Sequence, residues 1–489
     1  MEYNKLPQIF KRHSFDEKMR ILHKYSRLLM SPTGLIDIEK LRGVPLPWEL
    51  ETFLLFCVTS KEWKNDSFFD DNERIFFKAI NSIKNYVPPL LEQARGTSIF
   101  VDRLLVSIGA VQFDIQEYYL YKLYRYNYYF SFVNKNINMP ELFQNKFHCT
   151  YADFIIFAQF LWLILSDHMH IIPQQLIDFM VSKFYMVVSN LTLTREEYVA
   201  ELNGITTSIS DYQYCLRPSY SYPFITNQDK LYLPLPHLLM RSVTSSLMYR
   251  LTDERNELTE IIGKEVLEPY LYEIIKESSI FDEVFSEQEY RDKKGRKQRT
   301  LDVLARKDNI YVFFDSKMHS PKRNLRLLDK KIIMDEIDYL AKKCKQIYMH
   351  IHERFPFLYN PFSTKQTVEQ DNVFGIVVIR EDPYIRPEHV YLRTAELLDI
   401  DFKSNEYDWL CRHIGIVAIY DIEKFCFTDS DLISAIYANS QTGRINDFWL
   451  TYHLDCDMIS NTKVQAFIQN LSDNCQRIAE EYENNISSL

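Results

Sequence analysis

The stretch Thr300-Leu301-Asp302-Val303-Leu304-Ala305-Arg306-Lys307-Asp308-Asn309-Ile310-Tyr311-Val312-Phe313-Phe314-Asp315-Ser316-Lys317 reads as two strands joined by a tight turn. Residues 300–306 and 310–317 are rich in branched and aromatic side chains, and Asp308-Asn309 between them is a two-residue turn signal. Such a turn pairs residues whose numbers sum to 617, which puts Asp302 directly opposite Asp315. Strand side chains alternate with period two, so Lys317 shares their face. Two acids and an ammonium are therefore expected at one end of a hairpin. Carboxylates forced together are costly to keep charged near a core unless a divalent cation sits between them, and magnesium is the natural occupant.

Upstream, the charged connection Arg291-Asp292-Lys293-Lys294-Gly295-Arg296-Lys297 links this hairpin to an earlier strand candidate at residues 281–290, itself preceded by a helix over about 254–276. That helix offers Glu265 and Glu268, three apart and near one face, as a third acid. Pro269 either kinks the helix or begins a fresh turn at Glu268, and both carboxylates stay open on this reading. Downstream, Ile333, Ile337, Leu340, Cys344, Ile347 and Ile351 recur at spacings of four and three and mark the apolar face of a long helix. A buried strand follows at residues 373–379. The order helix, three strands, helix, strand predicts an α/β unit around a mixed sheet. A further strand at 413–420 and helices near 431–438 and 463–483 are expected to pack on the same sheet.

Over residues 218–379, less than half the chain, these features resemble the PD-(D/E)xK nuclease superfamily, the restriction-endonuclease-like fold. The family pattern is a helix with a Glu a few residues after a Gly, an Asp on the second strand and an Asp/Glu-x-Lys on the third, then a helix and a strand. Glu268 (after Gly263), Asp302, Asp315 and Lys317 fit it. The resemblance implies that Glu268, Asp302 and Asp315, with the Ser316 carbonyl, ligate Mg²⁺ or Mn²⁺. It implies further that Lys317 orients an attacking water and stabilises charge on a scissile phosphate. Leu301 stands where the family has Pro, and Ser316 where an apolar residue is commoner. The tripeptide alone carries no weight, because acid-x-Lys also occurs at Asp16-Glu17-Lys18, Glu62-Trp63-Lys64 and elsewhere. Order and context supply the specificity.

Charge points the same way. Residues 291–331 hold 14 basic side chains against 5 acidic, a local +9 within a chain of net charge −10. Such a patch suits a phosphate backbone, and Lys293, Lys294, Arg296, Lys297, Arg299, Lys322 and Arg323 are the candidate nucleic-acid contacts, flanking the acidic site on both sides. The pairs His168/His170 and His350/His352 read as ordinary histidines.

Residues 1–210 read as helical, with apolar spacing of three and four over 48–59, 72–86, 98–129 and 152–166. The tyrosine-rich segment 118–126, which carries Lys122 and Arg125, reads as a packed helix rather than a base-stacking surface. Pro218, Pro223, Pro234 and Pro236 mark a boundary and frame two short strands at 224–226 and 230–233. The expected organisation is therefore α+β and multidomain: a helical domain, 1–210, for target recognition or regulation, then a restriction-endonuclease-like α/β domain, 211–489, with a C-terminal extension.

Composition narrows the chemistry. The 489 residues hold only 10 glycines, the closest two nine apart, so neither a dinucleotide-binding glycine turn nor a P-loop can be written. Eight cysteines form no C-x-x-C pair. No apolar leader opens the sequence and no apolar run is long enough to span a bilayer, so a cytoplasmic protein with no membrane partner is expected. The function expected is Mg²⁺-dependent hydrolysis of DNA, as an endonuclease in prokaryotic defence against phage or mobile DNA, under the control of a protein partner or of homo-oligomerisation. The alternatives are an RNA-cleaving enzyme of the same fold and a non-catalytic module that binds nucleic acid or protein.

Overall fold

The computed structural model describes residues 2–30, 43–63, 73–112, 117–166, 168–252, 256–319, 321, 323–363, 367–446 and 458–487. It is a mixed α and β molecule with a helical N-terminal region. A small sheet holds β1 (Thr192–Thr194), β2 (Phe224–Asn227) and β3 (Lys230–Tyr232). The central sheet holds β4 (Glu283–Ser286), then, beyond a separate hairpin of β5 (Glu289–Arg291) and β6 (Lys297–Arg299), β7 (Val303–Lys307), β8 (Ile310–Lys317), β9 (Val373–Ile379) and β10 (Ile414–Ala418). Its order is β10-β9-β8-β7-β4; β4, β7 and β8 run antiparallel, and β8, β9 and β10 parallel.

The β7–β8 register runs from Val303 opposite Phe314 to Lys307 opposite Ile310, as a two-residue turn requires. Asp308 opens that turn with a φ of 51°, a left-handed conformation that Asp tolerates better than most residues. Alternation then sorts the strands onto two cores. Val303, Ala305, Val312 and Phe314 pack with the helix Glu268–Glu277 and with the C-terminal helices, while Leu304, Tyr311 and Phe313 pack with the long amphipathic helix Lys330–Met349. Gly375 lets that long helix approach the sheet, since a Cβ there would lie 2.1 Å from Ile347.

Several expectations change in detail. The helix expected over 98–129 is two helices, Phe100–Gln112 and Tyr119–Ser131. The strand expected over 281–290 is split between the central sheet and the β5–β6 hairpin, because the chain turns away after Ser286. The helix over 254–276 breaks into Asn256–Ile262, a π-helical turn Gly263–Leu267, and Glu268–Glu277 with Pro269 in its first turn. Proline's missing N–H does no harm there.

The boundary expected near residue 210 does not separate the hydrophobic cores. One core joins residues 3–86 to 198–238; another joins the Tyr119–Ser131 helix to the sheet and to the C-terminal helix Thr462–Ser487. Tyr121, Tyr126 and Tyr129 are fully buried in the latter, so the tyrosine-rich helix is core. Arg125 is buried beside them and paired with Glu423 of the helix Ile419–Thr428 at 2.8 Å. Among the described residues no single helix is long and apolar enough to cross a membrane, and the seven described cysteines are unbonded.

Candidate active site

The candidate site sits at the end of β8, one step past the last β7–β8 pair. Asp302 lies one step beyond the last β7–β8 pair, and Asp315 and Lys317 lie on β8 with the parity of Tyr311 and Phe313. Asp302 is 8% exposed and Asp315 2%. Asp302 Oδ2 accepts from the Ser316 amide at 2.6 Å and from the Ser316 hydroxyl at 2.9 Å, which pins it across the hairpin. Lys317 Nζ stands 2.8 Å from Asp315 Oδ2.

Glu268 enters from the other face of the sheet. The π-helical turn inserts an extra residue before it, and Gly263 at the start of that turn lets the segment lie against β8; a Cβ on it would meet Met318 at 2.9 Å. Of the two open candidates, Glu268 feels the charges of Asp302, Asp315 and Lys317, whereas Glu265 turns away and accepts from Asn134 and Asn136 at 2.8 and 2.9 Å.

The electrostatics are those of an acid excess. Burial, then repulsion from Asp302, pushes the Glu268 carboxyl up to about 8. Burial, then Asp315, pushes Asp302 to about 7. Burial works against the Lys317 ammonium, but Asp315 and Asp302 hold its pKa above the ordinary value. Burial and the mutual repulsion of neighbouring acids together favour the protonated forms of Glu268 and Asp302.

Folding thus favours the protonated forms of Glu268 and Asp302. The stability they contribute is present below about pH 4 and is lost as pH rises through about 7 to 8. A thermal-denaturation series from pH 5 to 8 is expected to show wild type losing stability with rising pH, and Glu268→Gln losing less. Equal slopes would mean that Glu268 does not titrate in this range.

Glu268, Ser316 and Lys317 open onto a cleft of about 1400 Å³. Its far wall is the helix Arg195–Ile205, from the N-terminal region, with Glu197 and Glu201; its near wall adds Lys264, His319, Tyr339, Lys343 and Arg380. The sequence reading missed these. His319 was legible, having the parity of Asp315 and Lys317 on an extended backbone; Arg380 follows the buried strand β9, and its amide donates to the Lys317 carbonyl at 3.2 Å.

The basic residues singled out from the sequence lie elsewhere. On the β5–β6 hairpin, Arg296 pairs with Asp292, Lys297 with Glu289 and Arg299 with Glu287, at 2.7 to 3.0 Å. Lys293 and Lys294 are exposed at its tip. None of these lines the cleft. Lys322 lies outside the described residues, and Arg323 is described only as the first residue of a short 3₁₀ helix.

Three carboxylates and a backbone carbonyl are hard oxygen donors of the kind Mg²⁺ takes. Among the described residues, however, no three His, Cys, Asp or Glu side chains are grouped closely enough to ligate one ion as placed. The donors fit the ion in kind, and holding it requires the side chains to draw together.

No protein-family model matches the chain, and no match is found among curated proteins or solved structures.

Proposed function

We propose that the protein is a metal-dependent phosphodiesterase of the restriction-endonuclease-like fold, cleaving DNA in the cytoplasm. The observation that carries the reading is the placing of Asp302, Asp315 and Lys317 at the end of the β7–β8 hairpin, with Glu268 within reach of their charges at the start of a helix five residues after Gly263. The four residue types stand in the order and on the elements of the PD-(D/E)xK pattern.

In this reading Glu268, Asp302 and Asp315, with the Ser316 carbonyl, hold Mg²⁺ or Mn²⁺. When bound, the ion supplies Lewis-acid charge at the phosphate and lowers the pKa of water. Lys317, kept protonated by Asp315, donates hydrogen bonds to the attacking water and to the negative phosphoryl oxygens. Ser316 fixes Asp302 through two hydrogen bonds, so that acid keeps its aim. Lys264 and Lys343 on the cleft wall offer cations for the polynucleotide backbone, and the exposed hairpin lysines Lys293 and Lys294 extend the contact outside it. A role in defence against phage or mobile DNA, restrained by a partner or by oligomerisation, suits an enzyme that would otherwise endanger its host.

Incubating the protein with supercoiled, linear and single-stranded DNA and with RNA, in Mg²⁺, Mn²⁺ or EDTA, tests the reading. DNA is expected to be cut in either metal and spared in EDTA. Cleavage of RNA alone moves the assignment to the ribonuclease alternative. Tight binding without cleavage of any polymer supports the non-catalytic one.

A further inference from the structure

We infer that His319 is a second catalytic residue of this site, the general acid that protonates the leaving oxygen, and that Glu336 is the residue that positions it; the inference rests on the phosphodiesterase reading above. His319 continues β8 two residues beyond Lys317, and the chain stays in register with the residues after β9, the Glu381 amide donating to the His319 carbonyl at 3.4 Å. Extended backbone alternates, so Asp315, Lys317 and His319 fall on one face, successive members about 6.5–7 Å apart. Lys317 and His319 both line the cleft. One therefore stands at the acids, and the other one step further along any strand of nucleic acid laid beside them.

The ring is held as a working imidazole is held. It stacks on Tyr339 with centroids 4.5 Å apart and planes 23° from parallel, and its Nε2 lies 2.7 Å from Glu336 Oε2. Glu336 is 2% exposed and stands three residues before Tyr339 on the Lys330–Met349 helix, so one helix face grips both the edge and the flat of the ring. Nε2 stands at ion-pair distance from a buried carboxylate, though the present ring angle does not make a hydrogen bond of it, and Nδ1 makes no hydrogen bond to a described residue. A carboxylate on one imidazole nitrogen fixes the ring's orientation and leaves the other nitrogen for chemistry, the arrangement of a catalytic dyad. A purely structural histidine would have both nitrogens satisfied, as His23 does between the carbonyls of Leu233 and Ser166.

The step balances without a further reagent. Water oxygen forms a bond to phosphorus and gives a proton to solvent; the bond from phosphorus to the leaving oxygen breaks, its electron pair staying on that oxygen. The imidazolium passes its Nδ1 proton to the oxygen, and the neutral imidazole regains a proton from solvent. Lys317 is engaged with Asp315 on the side of attack, so proton delivery to the departing group falls to a different residue.

A leaving-group comparison tests this. Two oligonucleotide substrates are used, one with the natural bridging oxygen and one with sulfur in its place on the side the wild type cuts; a thiolate departs without a proton. His319→Ala is expected to slow cleavage of the oxygen ester by about 10²–10³-fold and that of the sulfur ester by no more than a few-fold. Glu336→Gln is expected to give the same selective pattern, more weakly. Equal losses on both esters, or none on either, would overturn the role of His319 and leave the phosphodiesterase reading standing. A wild type that cuts neither ester would overturn both.

Discussion

Lys317→Ala is expected to lower the rate of metal-dependent DNA cleavage by about 10²–10³-fold while the protein still binds the polymer. The magnitude is that of removing one preorganised donor aimed at developing charge. Lys317 is suited to that part because its ammonium is half enclosed beside Asp315, at 2.8 Å, and stays charged. The same substitution removes a cation that lowers the pKa of both Glu268 and Asp302, so these two should hold their protons still more firmly and compete with metal. Asp315→Asn should slow cleavage at least as much by a different route, losing a ligand rather than the donor. Single-turnover rates over a range of Mg²⁺ concentrations separate the two: excess metal should restore Asp315→Asn in part and Lys317→Ala hardly at all. Full activity in both variants would remove the β8 residues from the chemistry.

The largest effect on stability is expected far from the cleft. Arg125→Ala should cost about 3–5 kcal/mol, the usual consequence of removing one partner of a buried ion pair. Arg125 and Glu423 are both fully buried, and the guanidinium meets both carboxylate oxygens at 2.8 Å. Without it Glu423 is an acid in the core whose pKa burial already raises. The pair also bears on the site, because the Tyr270 hydroxyl donates to Glu423 Oε1 at 2.6 Å from the helix that begins at Glu268. A urea titration measures the loss, and Arg125→Met combined with Glu423→Leu should recover most of it, since an apolar pair leaves no stranded charge. A wild-type midpoint for the single variant would show that the pair contributes nothing.

What could be read from the sequence was what is local. The β7–β8 register follows from two turn residues, and it leaves Asp302 one step beyond the last pair, bonded to Ser316. The amphipathic helix and the buried strand β9 follow from periodicity over a few residues. Glu268 and Glu265 could not be separated, because a π-helical turn changes the angular offset of everything after it and leaves no mark in composition. The single core joining the tyrosine-rich helix to the sheet was also illegible. Arg125 and Glu423 are 298 residues apart in the chain, and nothing local reports a pairing at that distance. The basic run at 291–299 misled for a related reason: its charge lies in the sequence, but three of its cations are paired with acids on or beside the same hairpin, while the lysines that line the cleft, Lys264, Lys317 and Lys343, are scattered along the chain.

The central claim is that Glu268, Asp302 and Asp315 form one divalent-cation site beside Lys317, and calorimetric titration with Mg²⁺ at pH 7 in buffers of different ionisation heat tests it most directly. Metal binding must displace the protons that Glu268 and Asp302 hold with pKa values of about 8 and about 7. The wild type is therefore expected to bind the ion saturably and to release about one proton or more with it, seen as a heat that depends on the buffer. Asp302→Asn and Asp315→Asn should lose the binding. No saturable heat in the wild type, or the same heat in all three proteins, would contradict the account.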